Sequence, residues 1–528
     1  MQSTPRQPNF LIIVTDQHRA DHLGAYGNKV VRTPHIDGLA AGGFRADAMY
    51  VATPICMPNR ASMLTGRYPS AHGARHNGIA LSTQATTFVD LLREAGYSTG
   101  LVGKAHFQNM TDHPAQWPLR AEERLSREAF EAPLGRYDQE RRDLWLGRDD
   151  FDLDYPFYGF ETVDLVDDHA DIVHGHYRYW LRKHYPEVEA LLGPEQAIAA
   201  PEYELTRIGQ AWRTRVPEAL HPTAYIADRA IEQLQRHAGA TKPFFLAVSF
   251  PDPHHPFTPP GKYWDMYSPD EIALPASFNV TGEPPHVSWL KEKRRNGTAV
   301  KHTPALFSCS EREAREAISL NYGSITHIDD NVGRLLHELT RLGLDKDTIV
   351  IFTSDHGDYL GDHGLMLKGP IHYQGLIRVP FIWRDPRVTR HLTHSASLTS
   401  TVDLAPTILE RAGVAPFNGI QGKSMLGLMG GADASLRDAL MIEEEGQRVM
   451  MGFKERIRCR TLLDGQCRLT LYDGVQWGEL YDLDADPLEM RNLWDSAAHA
   501  GPRARMLESL ARTMLENVDK SPYPSALA

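Results

Sequence analysis

The sequence predicts an α/β fold with a large, mostly parallel sheet flanked by helices and a smaller antiparallel sheet near the C-terminus. Three observations predict it. Short apolar runs enriched in β-branched residues alternate with helical patterns. From about residue 437 that rhythm gives way to closely spaced short strands. The chain has 528 residues, enough to bury a large core.

The elements follow in order. Asn9 to Thr15 (NFLIIVT) reads as a buried strand. Thr33-Pro34 opens a helix that reaches Gly42-Gly43, with proline at the first helical position and glycine after the last. Residues 87–95 (TFVDLLREA) form an amphipathic helix stopped by Gly96, and 98–102 the next strand. Residues 110–220, rich in Trp, Tyr, His and charge, read as an insertion over one face. A helix over 222–237 leads into a strand over 244–250. Ser310 and Glu313 make a capping box before a long helix to about Leu342, and 348–353 (TIVIFT) is the clearest strand. We expect a catalytic unit over 1–436 and a small unit over 437–528, with strands at ALMIEE, RVMMGF and CRLTLYD, a terminal helix and a tail or subunit-embracing arm.

Composition narrows the function. Lys and Arg number 56 against 68 Asp and Glu, a net charge of −12. That balance argues against a nucleic-acid or anionic-membrane partner. Lys291 to Arg295 is broken by Glu292 and reads as a solvated loop. Four cysteines are too few and too badly spaced for a disulfide frame or zinc knuckle. No run of 18 apolar residues exists, and the N-terminal apolar run meets Asp16 after five residues, so a cytoplasmic location is expected.

Ligands of open α/β sheets bind beyond the carboxyl ends of the strands. The four clearest strands are followed by Asp16-Gln17, by Lys104 and His106, by His254-His255, and by Asp355, His356 and Asp358. In a parallel sheet these converge. Asp16, Asp355 and His356 suit one divalent cation, and Lys104 with the other histidines makes a cationic wall able to hold a tetrahedral oxyanion.

Residues 56–69 read CMPNRASMLTGRYP. Pro58 starts a short helix ending near Gly66, which puts Cys56 at the positive helix terminus, where an anion on its side chain is favoured. The run C-x-P-x-R followed by Leu-Thr-Gly-Arg resembles the signature of the type I sulfatases, of the alkaline phosphatase superfamily. Further blocks match in order: the aspartate after the first strand, K-x-H, a PHxPF-like segment, SDHG with Lys368 downstream, and ELYDLDADPLEMRNL.

The resemblance implies that a formylglycine-generating enzyme oxidises Cys56 to formylglycine. Once hydrated, that residue carries two hydroxyls: one attacks sulfur, the other collapses to the aldehyde and expels sulfate. It further implies that Asp16, Asp355, His356 and residue 56, with Gln17 left open, hold one divalent metal, Mn²⁺ or Ca²⁺. Arg60 would hold the formylglycine, Lys104 a sulfate oxygen, and His106 the proton released on collapse. His254 and Lys368 would face the leaving-group oxygen, and Asn77 the substrate.

Three residues depart from the common pattern. Gln17 stands where many sulfatases have a second aspartate, and His356 where many have asparagine. This pair resembles the branch of phosphonate monoester hydrolases and choline sulfatases, whereas Lys104 and His106 follow the sulfatase pattern. Asn59 replaces the usual serine after the signature proline. The expected function is sulfate monoester hydrolysis of the arylsulfatase type, with phosphonate monoester or phosphodiester hydrolysis as the alternative; a homo-oligomer is expected.

Other signals are read more plainly. His169, Asp171, His174 and His176 are taken as exposed or substrate-wall residues, and His363 as an even choice between an outer partner of the metal pair and none. Glu443 to Glu445 is read as a solvated strand edge, and Cys309, Cys459 and Cys467 as packed thiols. Trp264, Trp289 and Tyr373 are assigned to core or interface packing.

Overall fold

A computed structural model of the protein describes residues 7–113, 129, 134–148, 150–199, 203–388 and 392–526. Its main sheet has nine strands. Five run parallel side by side, in the order Thr348–Ser354, Asn9–Thr15, Phe244–Phe250, Ser98–Gly103, Thr162–Asp167. Phe381–Arg384 extends one side antiparallel, followed by Phe44–Ala46 and His394–Ser395; His174–Gly175 closes the other.

The strands are apolar throughout because both faces are covered. Phe10, Ile12, Phe245, Ala247, Ile349 and Ile351 pack on one side with Leu64, Phe88 and Ile408. Leu11, Ile13, Leu246, Val248, Val350 and Phe352 pack on the other with Ile226, Ile325 and Leu335 of the helices Pro222–His237 and Glu311–Arg341. The capping box of Ser310 and Glu313 starts the 31-residue helix as expected. Burying aliphatic side chains on both faces contributes roughly 2 kcal/mol each, which makes this sheet a rigid base for the loops at its edge.

The C-terminal sheet is antiparallel, in the order Leu440–Glu445, Arg458–Leu463, Cys467–Tyr472, Gly478–Asp482. It packs through Met441, Leu462, Leu469 and Leu480 against Met506 and Leu510 of the helix Ala500–Glu516, and against Ala52, Tyr68 and Val402 of the main body. Beyond that helix, Asp519 pairs with Arg67 at 2.6 Å.

Four expectations are corrected. Lys291 to Arg295 ends a helix, Pro285–Arg295, and Lys291 is buried with its ammonium on the Val280 carbonyl. Hydrophobic Val287 and Leu290 on the inner face outweigh the charge run. RVMMGF forms no strand; Met451 and Gly452 take positive φ and turn the chain over Trp289. Glu443 and Glu444 are buried, not solvated: Glu443 accepts from Ser70 and Glu444 pairs with His372 at 2.9 Å. The stretch 110–220 is not wholly an insertion, since Thr162–Asp167 is a strand of the main sheet; residues 114–128, 130–133, 149 and 200–202 of it lie outside the described residues. Among the described residues no helix is long and apolar enough to cross a membrane.

Candidate active site

The five parallel strands end together, and their following residues meet. Asp16 follows the strand Asn9–Thr15 and is fully buried. The Lys104 ammonium lies 2.7 Å from its Oδ2, and Arg60 Nη2 lies 3.6 Å from the same oxygen. Burial pushes the Asp16 pKa up, but Lys104, Arg60 and Lys368 outweigh it and hold the carboxyl well below its ordinary value. Gly103 is what lets Lys104 arrive there: its φ is +110°, and a Cβ would lie 1.9 Å from the Ser249 carbonyl.

The signature forms a helix, Cys56–Thr65, buried along its length and ended by Gly66 in the left-handed conformation. Cys56 and Arg60 are one turn apart and face the same point. Cys56 Sγ is 3.1 Å from His356 Nε2 and 2.6 Å from Lys368 Nζ. Burial and Asp16 raise the thiol's pKa; Lys368 and His356 more than offset them, so it falls below the ordinary value. Arg60 donates from Nε to Asp355 Oδ2 (2.8 Å), and from Nη1 to the Lys104 carbonyl and Ser249 Oγ. Asn59, the departure from the signature, ties the helix to its surroundings. It donates to the Asp355 carbonyl and accepts from Ala52 N and Thr401 Oγ1.

The carboxylates of Asp16 and Asp355, Cys56 Sγ and a ring nitrogen of His356 all lie within 4.8 Å of one another. His356 Nδ1 faces the Gly357 carbonyl at 2.8 Å, which turns Nε2 towards Cys56 and the carboxylates as the nitrogen able to coordinate. Asp16 Oδ1 and Gln17 Oε1 are buried without a hydrogen-bond partner. Such orphaned oxygens are costly alone and are satisfied by a cation, so these residues fit one divalent metal. Gln17 has φ +61°, its backbone N–H binds Asp355 Oδ1, and its side-chain amide donates to Asp358 Oδ2.

The remaining expected residues also gather here. Lys368 Nζ is 2.9 Å from His254 Nε2 and 3.0 Å from His356 Nε2. His254 Nδ1 faces the His255 carbonyl. His106 is buried with φ +54°. Burial, reinforced for His106 by Lys104 and Arg60 and for His254 by His169 and Lys368, holds both imidazoles well below their ordinary pKa. Asn77 Oδ1 accepts the Met57 N–H at the start of the signature helix, and Asn77 lines a cavity of about 120 Å³ with Ile55, His76, Lys368 and Arg448.

His169, read from the sequence as an exposed or substrate-wall residue, is brought into the site itself. It follows the fifth parallel strand, its Nε2 is 2.7 Å from Lys104 Nζ, and its ring stacks on His254 at 3.7 Å. The signal was present, a strand end in VDLVDDH, but Asp164 and the charged residues around it masked the strand. His363 stacks on Tyr373 at 3.5 Å beside a separate polar cavity lined by Arg19, Asp362 and Glu489. Its hydrogen bonds and ring contacts do not reach the metal pair. Trp264 and Tyr373 are buried, as assigned; the four cysteines are free thiols, Cys309 and Cys459 buried.

Comparison with known proteins agrees with this geometry. The family model described as sulfatase matches residues 8–414, and one described as N-sulphoglucosamine sulphohydrolase, C-terminal, matches residues 361–516. An arylsulfatase of Clostridium perfringens is 28% identical, over 93% of this chain and 91% of its own length. A choline-sulfatase of Rhizobium meliloti is 28% identical, over 93% of this chain and 83% of its own. The solved phosphonate monoester hydrolase of Agrobacterium radiobacter shares the fold with a TM-score of 0.75 at 24% identity, covering 98% of this chain and 97% of that one. With a family model spanning most of its length and the strand-end residues gathered at one point, the chain belongs to the sulfatase family.

Proposed function

We propose that this sulfatase hydrolyses sulfate monoesters of the arylsulfatase type with residue 56 as nucleophile after oxidation to formylglycine, and with one divalent cation held by Asp16, Asp355, His356 and residue 56. One observation carries the reading: the Cys56 side chain sits among two carboxylates and an imidazole, with the Lys368 ammonium against its sulfur. Formylglycine supplies a carbon bearing two hydroxyls, one to attack and one to release sulfate. The cation supplies Lewis acidity, and the nitrogen donor favours Mn²⁺ over Ca²⁺.

The chain's own residues do the rest. Arg60, anchored by Asp355 and Ser249, fixes the helix start against the cluster. Lys104 and Lys368 place positive charge on two sides of residue 56 to hold the sulfate oxygens. His106 is neutral and so able to accept a proton. His254 and Lys368, paired at 2.9 Å, face the leaving-group oxygen together, one of them to protonate or stabilise it. A formylglycine-generating enzyme is the maturation partner this reading requires.

The Gln17 and His356 pair favours a second reading, phosphonate monoester or phosphodiester hydrolysis at the same nucleophile. Mass spectrometry of the signature peptide tests the modification: sulfur must be replaced by oxygen with two hydrogens lost as well, since the replacement alone gives serine. Comparing kcat/KM on matched aryl sulfate and aryl phosphonate monoesters tests the substrate, and a dominant phosphonate rate overturns the first reading.

A further inference from the structure

The cavity at Asn77 and Lys368 adjoins a second, of about 410 Å³; the two share Ala305, Leu306, Arg448 and Met450 as lining. The outer one is walled by Trp289 and Lys293 of the helix Pro285–Arg295, and by Val300. Arg448 stands where they join. It is carried there by the loop after the Leu440–Glu445 strand, whose Gly452 packs on the Trp289 ring.

The charges in this wall are unequally matched. Glu444 is paired with His372, and Glu445 is bonded to Arg75 and lies near Arg458 and Arg460. Arg448 makes one hydrogen bond, from Nη1 to Thr303 Oγ1 at 3.2 Å, and no ion pair among the described residues. Burial lowers its pKa and no carboxylate offsets that. Lys293 lies over the Trp289 ring at 5.1 Å, likewise with no carboxylate partner among the described residues. A half-buried guanidinium with most of its five donors unused is costly unless a ligand supplies an anion. These two cations line adjoining cavities, and the one that Arg448 lines with Asn77 is also lined by Lys368, whose ammonium meets Cys56 Sγ.

We propose that Arg448, assisted by Lys293, forms an oxyanion subsite, and that the alcohol released by this enzyme carries a second anionic group, a carboxylate or a second sulfate. The inference rests on the sulfatase reading above. The guanidinium fork accepts either group through two parallel N–H···O bonds, and the apolar lining between Asn77 and Arg448 accommodates the connecting carbon skeleton.

The test uses sulfate monoesters of ω-hydroxyalkanoates of graded chain length and of the matching ω-hydroxyalkanamides, which differ only in charge. Alkanediol bis-sulfates distinguish a sulfate from a carboxylate ligand. At the best length the wild-type enzyme should favour the anionic ester about tenfold or more in kcat/KM, Arg448→Ala should bring the ratio near one, and Arg448→Lys should keep part of it. A wild-type ratio near one at every length, or a ratio unchanged in Arg448→Ala, overturns the subsite. A preparation inactive on all esters, aryl sulfates included, refutes the sulfatase reading instead. The subsite is then judged by titrating the free ω-hydroxyalkanoate into wild-type and Arg448→Ala protein. Binding about tenfold tighter in the wild type supports the subsite; equal or no binding overturns it.

Discussion

Asp358 offers a test of how the metal end of the site is built. Its Oδ1 accepts the N–H groups of Leu360 (2.8 Å) and Leu367 (2.9 Å), and its Oδ2 accepts the Gln17 amide. Burial raises its pKa to about 6, although Gln17 and Leu360 pull the other way. In Asp358→Asn the new Oδ1 keeps both backbone bonds, so the new Nδ2 faces Gln17. Two amide donors cannot face each other, so the Gln17 amide must rotate and exchange its Oε1 for Nε2. An NH₂ group cannot coordinate a cation.

Divalent metal affinity should therefore fall about 10- to 100-fold, measured by equilibrium dialysis or Mn²⁺ EPR. Stability in chelator should move the opposite way. A carboxyl raised from 3.8 to about 6 in the folded state weakens the fold by up to roughly 3 kcal/mol once ionised. The penalty is absent below pH 3.8, grows as pH rises, and is complete above about 6. The advantage of Asp358→Asn in unfolding experiments should follow that curve. Unchanged metal affinity would show that Gln17 Oε1 does not ligate, and would refute the reasoning.

Further outcomes are expected. Cys56→Ala should retain the circular dichroism of the fold and lose turnover by about four orders of magnitude or more; near-normal turnover contradicts the nucleophile assignment. Lys368→Ala should lower kcat on aryl sulfates about 100-fold or more, with a smaller loss for esters of good leaving groups. Arg60→Met leaves Asp355 and Asp16 short of a buried cation and should destabilise the chelated protein by about 3–5 kcal/mol, read by denaturant unfolding. Chelation should abolish activity and lower Tm, with Mn²⁺ restoring both more fully than Ca²⁺.

Much of the fold was legible because buried parallel strands leave an unbroken apolar run. NFLIIVT, FFLAVSF and TIVIFT are such runs, and each proved to be a full strand. The strand TVDLVD was not legible, since Asp164 and the charged residues around it interrupt the apolar signal. RVMMGF failed for the converse reason: Met451 is buried, and Met450 and Phe453 partly, in a loop that packs on the helix of Trp289 while Val449 stays exposed, and burial of that kind has no period.

The sequence by itself determined the chemistry on offer: a cysteine and an arginine one helical turn apart, carboxylates and imidazoles after strands, and lysines within reach. Those are local properties, set by spacing along one element. Only the tertiary structure decided which of them meet. The parallel sheet brings five strand ends together, adding His169 to the wall, while Lys368 and Asn77 arrive from loops distant in sequence. It also separated His363 from the metal pair and left Arg448 facing an opening instead of a carboxylate. Partner choice of that kind depends on crossing connections between elements tens to hundreds of residues apart, and no pattern within a single segment encodes it.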